Sequence, residues 1–349
     1  MEAYINLLKS LISVSSLSRN EGEAAQIIRD FFTDSKVEYY SKVNNTWVRN
    51  QFWKEGLPVV LLNSHIDTVK PASGYTRNPF SPDIENGILY GLGSNDAGGP
   101  LVTLLAVFMH FNSIENIPFN LIYAATAEEE ISGSDGLASI LDDLGPFDLA
   151  IVGEPTKMQM AIAEKGLMVL DCTAHGKSGH AAREEGDNAI YKAIADIEKI
   201  RNYRFEKISD ILGQVKMSVT IIDAGAQHNV VPDLCTFVVD VRTNEHYSNQ
   251  LAFETITKLI GSDVVPRSFR LNSSGIPVDH PIVQRGIGLG LSYYGSPTTS
   301  DQAVIPYPSI KIGPGDSARS HTADEFILIS ELEEGFRIYV DLLTDLKLK

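Results

Sequence analysis

The sequence predicts an α/β protein of two domains: a mostly parallel sheet covered on both faces, and an inserted α+β domain. Three observations predict it. Strand-length apolar runs alternate with helical spacing over the first 165 residues, longer alternating strands take over between about 166 and 276, and a strand and a helix return near the C-terminus. At 349 residues the chain also exceeds what a single core usually holds.

The elements follow in order. Tyr4, Leu7, Leu8, Leu11 and Ile12, then Ala24, Ile27, Ile28, Phe31 and Phe32, recur at helical spacing, so two amphipathic helices open the fold. Apolar runs at 59–62, 121–125 and 149–152 have strand length, and helix-like stretches at 101–111 and around 137–141 separate them. Strands alternating with helices imply parallel pairing with both faces buried. Strands at 167–173, 215–222 and 235–241 then alternate with helices at 189–200 and 251–260. A strand at 310–312 and an amphipathic helix at 332–343 complete the first sheet. Residues 1–165 plus 277–349 are thus expected to form one discontinuous catalytic domain, and residues 166–276 a lid.

Composition excludes several functions. With 45 acidic and 29 basic side chains the formal charge is −16, the wrong sign for phosphate neutralisation or an acidic membrane surface. Hydrophobic residues at 43% and charged residues at 21% are the balance of a chain that buries a core. No apolar run approaches the eighteen residues of a membrane span, and Glu2 stands where a secretory leader needs basic residues. Two cysteines, Cys172 and Cys235, each in an apolar stretch, suit a reducing compartment, and the expected location is cytoplasmic.

In open α/β sheets the ligand site lies beyond the carboxyl ends of the strands. There the chain repeatedly supplies metal-ligand chemistry. The first run leads into Ser64-His65-Ile66-Asp67, the second into Thr126-Ala127-Glu128-Glu129-Glu130, the third into Gly153-Glu154-Pro155, and the C-terminal strand leads to Ser320-His321. A glycine-rich turn from Gly91 to Gly99 carries Asp96 just before a helix. Asp96, Glu129, Glu130 and Glu154 gathered in one cleft cannot all ionise without cations, and two divalent ions would balance them with His65 and His321 as nitrogen ligands. Imidazole and carboxylate without thiolate suits zinc, with cobalt or manganese as substitutes. Period-two geometry puts His65 and Asp67 on one face, where Asp67 can hold the far imidazole nitrogen. Of the adjacent Glu129 and Glu130, one can ligate while the other carries a proton, as metal-assisted hydrolysis requires.

Bland readings compete with these. Gly91-Leu92-Gly93 opens like a dinucleotide fingerprint, but Asp96 occupies the third glycine position and would repel a pyrophosphate. His175-Gly176-Lys177-Ser178 mimics a phosphate loop but has Asp171 where the first glycine belongs. A lone histidine or glutamate pair is more often structural than functional. It is the ordered set that argues for a site.

That ordered set resembles the co-catalytic zinc deacylases and peptidases, the family of acetylornithine deacetylase, succinyl-diaminopimelate desuccinylase, aminoacylase and glutamate carboxypeptidase. The resemblance spans nearly the whole chain. It implies that His65, Asp96 and Glu154 bind one zinc ion, that Asp96, Glu130 and His321 bind the second, that Glu129 is the general acid/base and that Asp67 orients His65. Ala97 and Gly98, where methionine and lysine are commoner, and Glu128, where aspartate is usual, depart from the family pattern. A glutamate at position 154 resembles the deacylase and carboxypeptidase branch. Gly176-Lys177-Ser178-Gly179-His180-Ala181 resembles the lid segment whose histidine reaches a partner's active site, which implies a homodimer with His180 acting in trans. Asn229 and Arg242 match substrate-holding lid positions, Arg242 being a natural fork for an α-carboxylate, and Arg319 is a candidate reader of a second carboxylate.

The activity so implied is hydrolysis of an N-acyl-L-amino acid, with N-acetyl- or N-succinyl-L-ornithine first, a step of arginine biosynthesis. The alternatives are succinyl-diaminopimelate desuccinylase, or a dipeptidase or carboxypeptidase on the same scaffold. A metal-dependent binding protein without catalysis is the reading from another class.

Overall fold

The structure, a computed structural model, describes residues 1–348. The described residues form two compact units: 1–162, 275–294 and 300–348 in the first, 163–274 and 295–299 in the second.

The first unit is built on a mixed sheet. Its strands run in the order Tyr40–Lys42, Asn45–Arg49, Asn120–Thr126, Val59–His65, Leu149–Val152, Ser309–Lys311 and Met160–Glu164. The four from Asn120–Thr126 to Ser309–Lys311 are parallel, and the strands flanking them pair antiparallel. Alternation sends Leu61, Ile122, Ala150 and Trp47 to one face, over Leu137, Ile140, Leu144 and Phe147. On the other, Tyr123 meets Phe32 of helix Gly22–Asp34 and Phe108 of helix Gly99–Asn112, both at 6.1 Å between ring centroids. Helix Gly99–Asn112 is apolar nearly all round because it is covered by the sheet and by helix Ile329–Leu343. The helix expected around 137–141 is instead a short turn, Leu137–Ser139, followed by the single turn Leu141–Leu144. Gly145 at φ +76°, before Pro146, stops it.

The second unit is a four-stranded antiparallel sheet, ordered Lys216–Ala224, Leu234–Thr243, Gly166–His175 and Asp263–Pro266. Met168, Leu170, Cys172 and Ala174 point inward at period two, onto helices Ala189–Asn202 and Asn249–Leu259. Both cysteines are buried free thiols. Residues 295–299, placed with the catalytic domain by sequence alone, pack here. Ser296 O accepts from Lys165 N, and a Cβ on Gly295 would lie 2.4 Å from Ile211 O. Among the described residues no helix is long and apolar enough to cross a membrane.

Candidate metal centre and catalytic site

Parallel pairing delivers the acids and His65 to one edge of the first sheet. His65 pairs in register with Thr126, so Ala127 to Glu130 leave the sheet beside it. Gly153 N donates to Asn63 O at 2.7 Å, and Ser64 Oγ to Gly153 O at 2.8 Å, which brings Glu154 alongside. Asp96 lies in the turn Ser94–Gly98, non-helical at φ −121°, ψ 100°. That turn needs its glycine: Gly93 has φ +75°, and a Cβ there would sit 2.6 Å from Thr68 Cγ2.

Asp96 faces both imidazoles. Its Oδ1 is 3.3 Å from His65 Nε2 and its Oδ2 is 3.8 Å from His321 Nε2. His65 Nε2 also faces Glu129 and Glu154, each at 3.8 Å, while His321 Nε2 lies 3.0 Å from Glu130 Oε2. Two overlapping triads, His65–Asp96–Glu130 and His65–Glu129–Glu154, hold ligand atoms within 4.8 Å of one another. Zinc–ligand bonds of about 2.0–2.2 Å in a tetrahedron put neighbouring donors roughly 3.3–3.6 Å apart. The observed spacings bracket that value. The donor set is imidazole and carboxylate only, so the residues fit a pair of divalent ions.

The charges are consistent with a site built for cations. Burial disfavours a charge on His65, yet Asp67, Asp96, Glu129 and Glu154 outweigh it and hold the imidazole protonated well above its usual range. Glu130 does the same for His321, raising it to about 9 against partial burial. Burial, with Glu154, Asp301 and Glu130 nearby, raises Glu129 well above the carboxylate range even though His65 pulls it down. Burial likewise lifts Asp301 to about 6 and Glu325 to about 7.

Asp67 does more than its spacing suggested. His65 Nδ1 is 2.9 Å from the Asp67 carbonyl and 3.4 Å from its carboxylate, so the main chain is the closer partner fixing the tautomer. The carboxylate accepts from Glu129 N at 3.0 Å, Glu130 N at 3.1 Å and Ser18 Oγ at 2.7 Å. Buried Glu21 accepts from Glu128 N at 3.3 Å. Carboxylates from distant segments therefore hold three consecutive amides of the loop bearing Glu129 and Glu130. Sequence reasoning missed Glu21 and Asp301, the latter held by Thr126 Oγ1 and Asn63 at 3.0 Å each. No spacing announces them. Glu325, four residues after His321, is 2% exposed.

The remaining candidates divide between the two units. In the second unit His180 is exposed, and its strand Gly179–His180 pairs with Val230–Val231, next to Asn229. Arg242 Nε and Nη2 fork onto Asp240 at 2.8 and 3.1 Å, and Nη1 reaches Thr299 Oγ1 at 3.3 Å. Arg319 is engaged within the first unit. Its two Nη atoms are bound by Glu331 at 2.7 and 3.0 Å and its guanidinium lies 4.5 Å from the Phe326 ring centre, so its fork serves the fold.

Comparison with known proteins agrees with this architecture. A succinyl-diaminopimelate desuccinylase of Wolbachia pipientis wMel is 26% identical over 290 residues, 77% of this chain and 72% of the relative. A protein named as a probable carboxypeptidase in Neosartorya fischeri is 26% identical over 379 aligned positions, 96% of this chain and 84% of the relative. The crystal structure of the Bacillus subtilis YXEP protein, described as a dinuclear metal-binding peptidase, superposes with a TM-score of 0.75 at 17% identity, covering 98% of this chain and 97% of that one. The profile of peptidase family M20/M25/M40 matches residues 61–345, which take in every metal-ligand candidate, and the chain is a member of that hydrolase family.

Proposed function

We propose that this hydrolase cleaves the amide bond of an N-acyl-L-amino acid, using two divalent ions held by His65, Asp96, Glu130, Glu154 and His321. The observation that carries the reading is Asp96, whose two oxygens face the two imidazoles at 3.3 and 3.8 Å while Glu129 stands 3.8 Å from His65 without being needed as a ligand. The pair of ions, zinc first, supplies polarisation of the acyl carbonyl and acidification of the attacking water when bound. Glu129 takes the water's proton and returns it to the leaving amine. His65 keeps Nδ1–H on the Asp67 carbonyl and so presents the Nε2 lone pair to the ions.

The lid supplies the rest of this reading. His180 Nδ1 accepts from Ala182 N at 3.1 Å, which leaves Nε2–H of the neutral ring as a donor suited to an oxyanion. Asn229 and Arg242 are proposed to hold the substrate, an α-carboxylate competing with Asp240 for the Arg242 fork. Edge strand Lys216–Ala224 exposes Ile221 and Ile222, and helix Ala189–Asn202 exposes Tyr191 and Ile194, which supports homodimerisation through the lid.

N-acetyl- and N-succinyl-L-ornithine are the first substrates to test. The desuccinylase and carboxypeptidase names among the relatives favour succinyl-diaminopimelate or a peptide C-terminus as a second reading. A panel of these compounds with zinc, cobalt or chelator decides between them. We expect Glu129→Gln to bind metal normally and lose about 10²–10⁴ in kcat on the best substrate. Parental turnover in Glu129→Gln, or full activity after demetallation, would overturn the reading.

A further inference from the structure

The glycine-rich turn that carries Asp96 has amides facing inward, with no regular helix to receive them. A single buried side chain receives three. Glu325 Oε1 accepts from Asn95 N and Asp96 N, both at 2.9 Å, and Oε2 accepts from Gly93 N at 3.1 Å. Strand pairing brings it there: Phe326 pairs with Tyr90, and Gly91 N donates to Glu325 O at 2.9 Å. Its neighbour Asp324 engages a different loop, accepting from Thr76 N, Thr76 Oγ1 and Arg77 N at 2.6–3.0 Å. A carboxylate can accept from all three amides at once, whereas a carboxamide must turn its NH2 toward at least one of them.

We propose that Glu325 is a positioning residue that aims the Asp96 carboxylate at both metal positions by clamping the backbone amides of residues 93, 95 and 96. It lies four residues after His321, so one short segment supplies a candidate ligand and braces the bridging one. The inference rests on the two-metal reading of Asp96.

The test is Co2+ binding to the metal-free full-length protein, followed by calorimetry and by the visible absorption of bound Co2+, in the parental chain, Glu325→Gln and Asp324→Asn. The expected result is a 10–100-fold loss of affinity and an altered spectrum in Glu325→Gln alone. Parental affinity and spectrum in Glu325→Gln, or equal losses in both variants, would overturn the clamp. Should Glu325→Gln fail to fold, amide exchange in the parental protein decides: slow exchange over residues 93–96 without metal supports the clamp, and solvent-like exchange there refutes it. A parental chain that takes up no Co2+ overturns the two-metal reading, and this inference with it.

Discussion

Asp67→Asn separates what this carboxylate does from what its position beside His65 suggests. The buried side chain accepts four contacts, from Ser18 Oγ, Glu129 N, Glu130 N and, at 3.4 Å, His65 Nδ1. Asparagine keeps the shape but has one acceptor. With its oxygen toward Glu129 N, its NH2 faces Ser18, whose hydroxyl can turn to accept, and Glu130 N–H, which cannot. One amide is orphaned and the charge opposite His65 is lost. A lost hydrogen bond to a charged group and a buried donor left bare together cost about 3 kcal/mol. For a unit of this size that lowers the metal-free Tm by roughly 6–12 °C. Glu130 also loses its backbone anchor, so Co2+ affinity is expected to fall about 10–100-fold. Scanning calorimetry of the metal-free protein and Co2+ titration measure the two effects separately. A lower Tm with parental affinity would reduce Asp67 to a purely structural role, and no change in either would refute the reasoning.

Metal affinity is expected to rise with pH, because ions must displace the proton that Glu130 holds on His321 up to about 9. Below that value each displaced proton makes affinity climb about tenfold per pH unit, and pH-independent Co2+ binding between pH 6 and 8 would contradict it. In the second unit, Asp196 accepts from Gly261 N, Ser262 N, Ser262 Oγ and Lys199 Nζ, and these partners outweigh burial to hold its carboxyl below the ordinary range. Its stabilisation is therefore complete above the unfolded value of about 3.9 and lost as pH falls through the lower folded value. Asp196→Ala is expected to destabilise this unit by about 2 kcal/mol at pH 7 and less at pH 3, and equal loss at both would sink the assignment. With its fork on Glu331, Arg319→Ala is expected to lower Tm, and the acetyl-versus-succinyl preference in steady-state kinetics decides its role: a shifted preference supports substrate reading, and an unchanged one removes it.

Much of this protein is legible in one dimension. Hydrophobic periodicity located the central parallel strands, because a strand buried on both faces must be apolar throughout. Strand ends then located His65, Glu129, Glu130 and Glu154, since parallel pairing sends those ends to a common edge. Periodicity reports which way a residue points from its own element, and it is silent about what arrives from elsewhere. Glu325 reaches amides some 230 positions earlier, Asp301 reaches Thr126 across 175, and Arg319, though beside His321, turns to Glu331. The Asp67 carbonyl rather than its carboxylate is the nearer partner of His65, a choice made by the backbone's path after the strand. The sequence by itself determined the donor chemistry and the face it occupies. Only the tertiary structure decided which carboxylates meet the imidazoles and which hold the chain in place, because a buried acid takes the role of whatever packs against it.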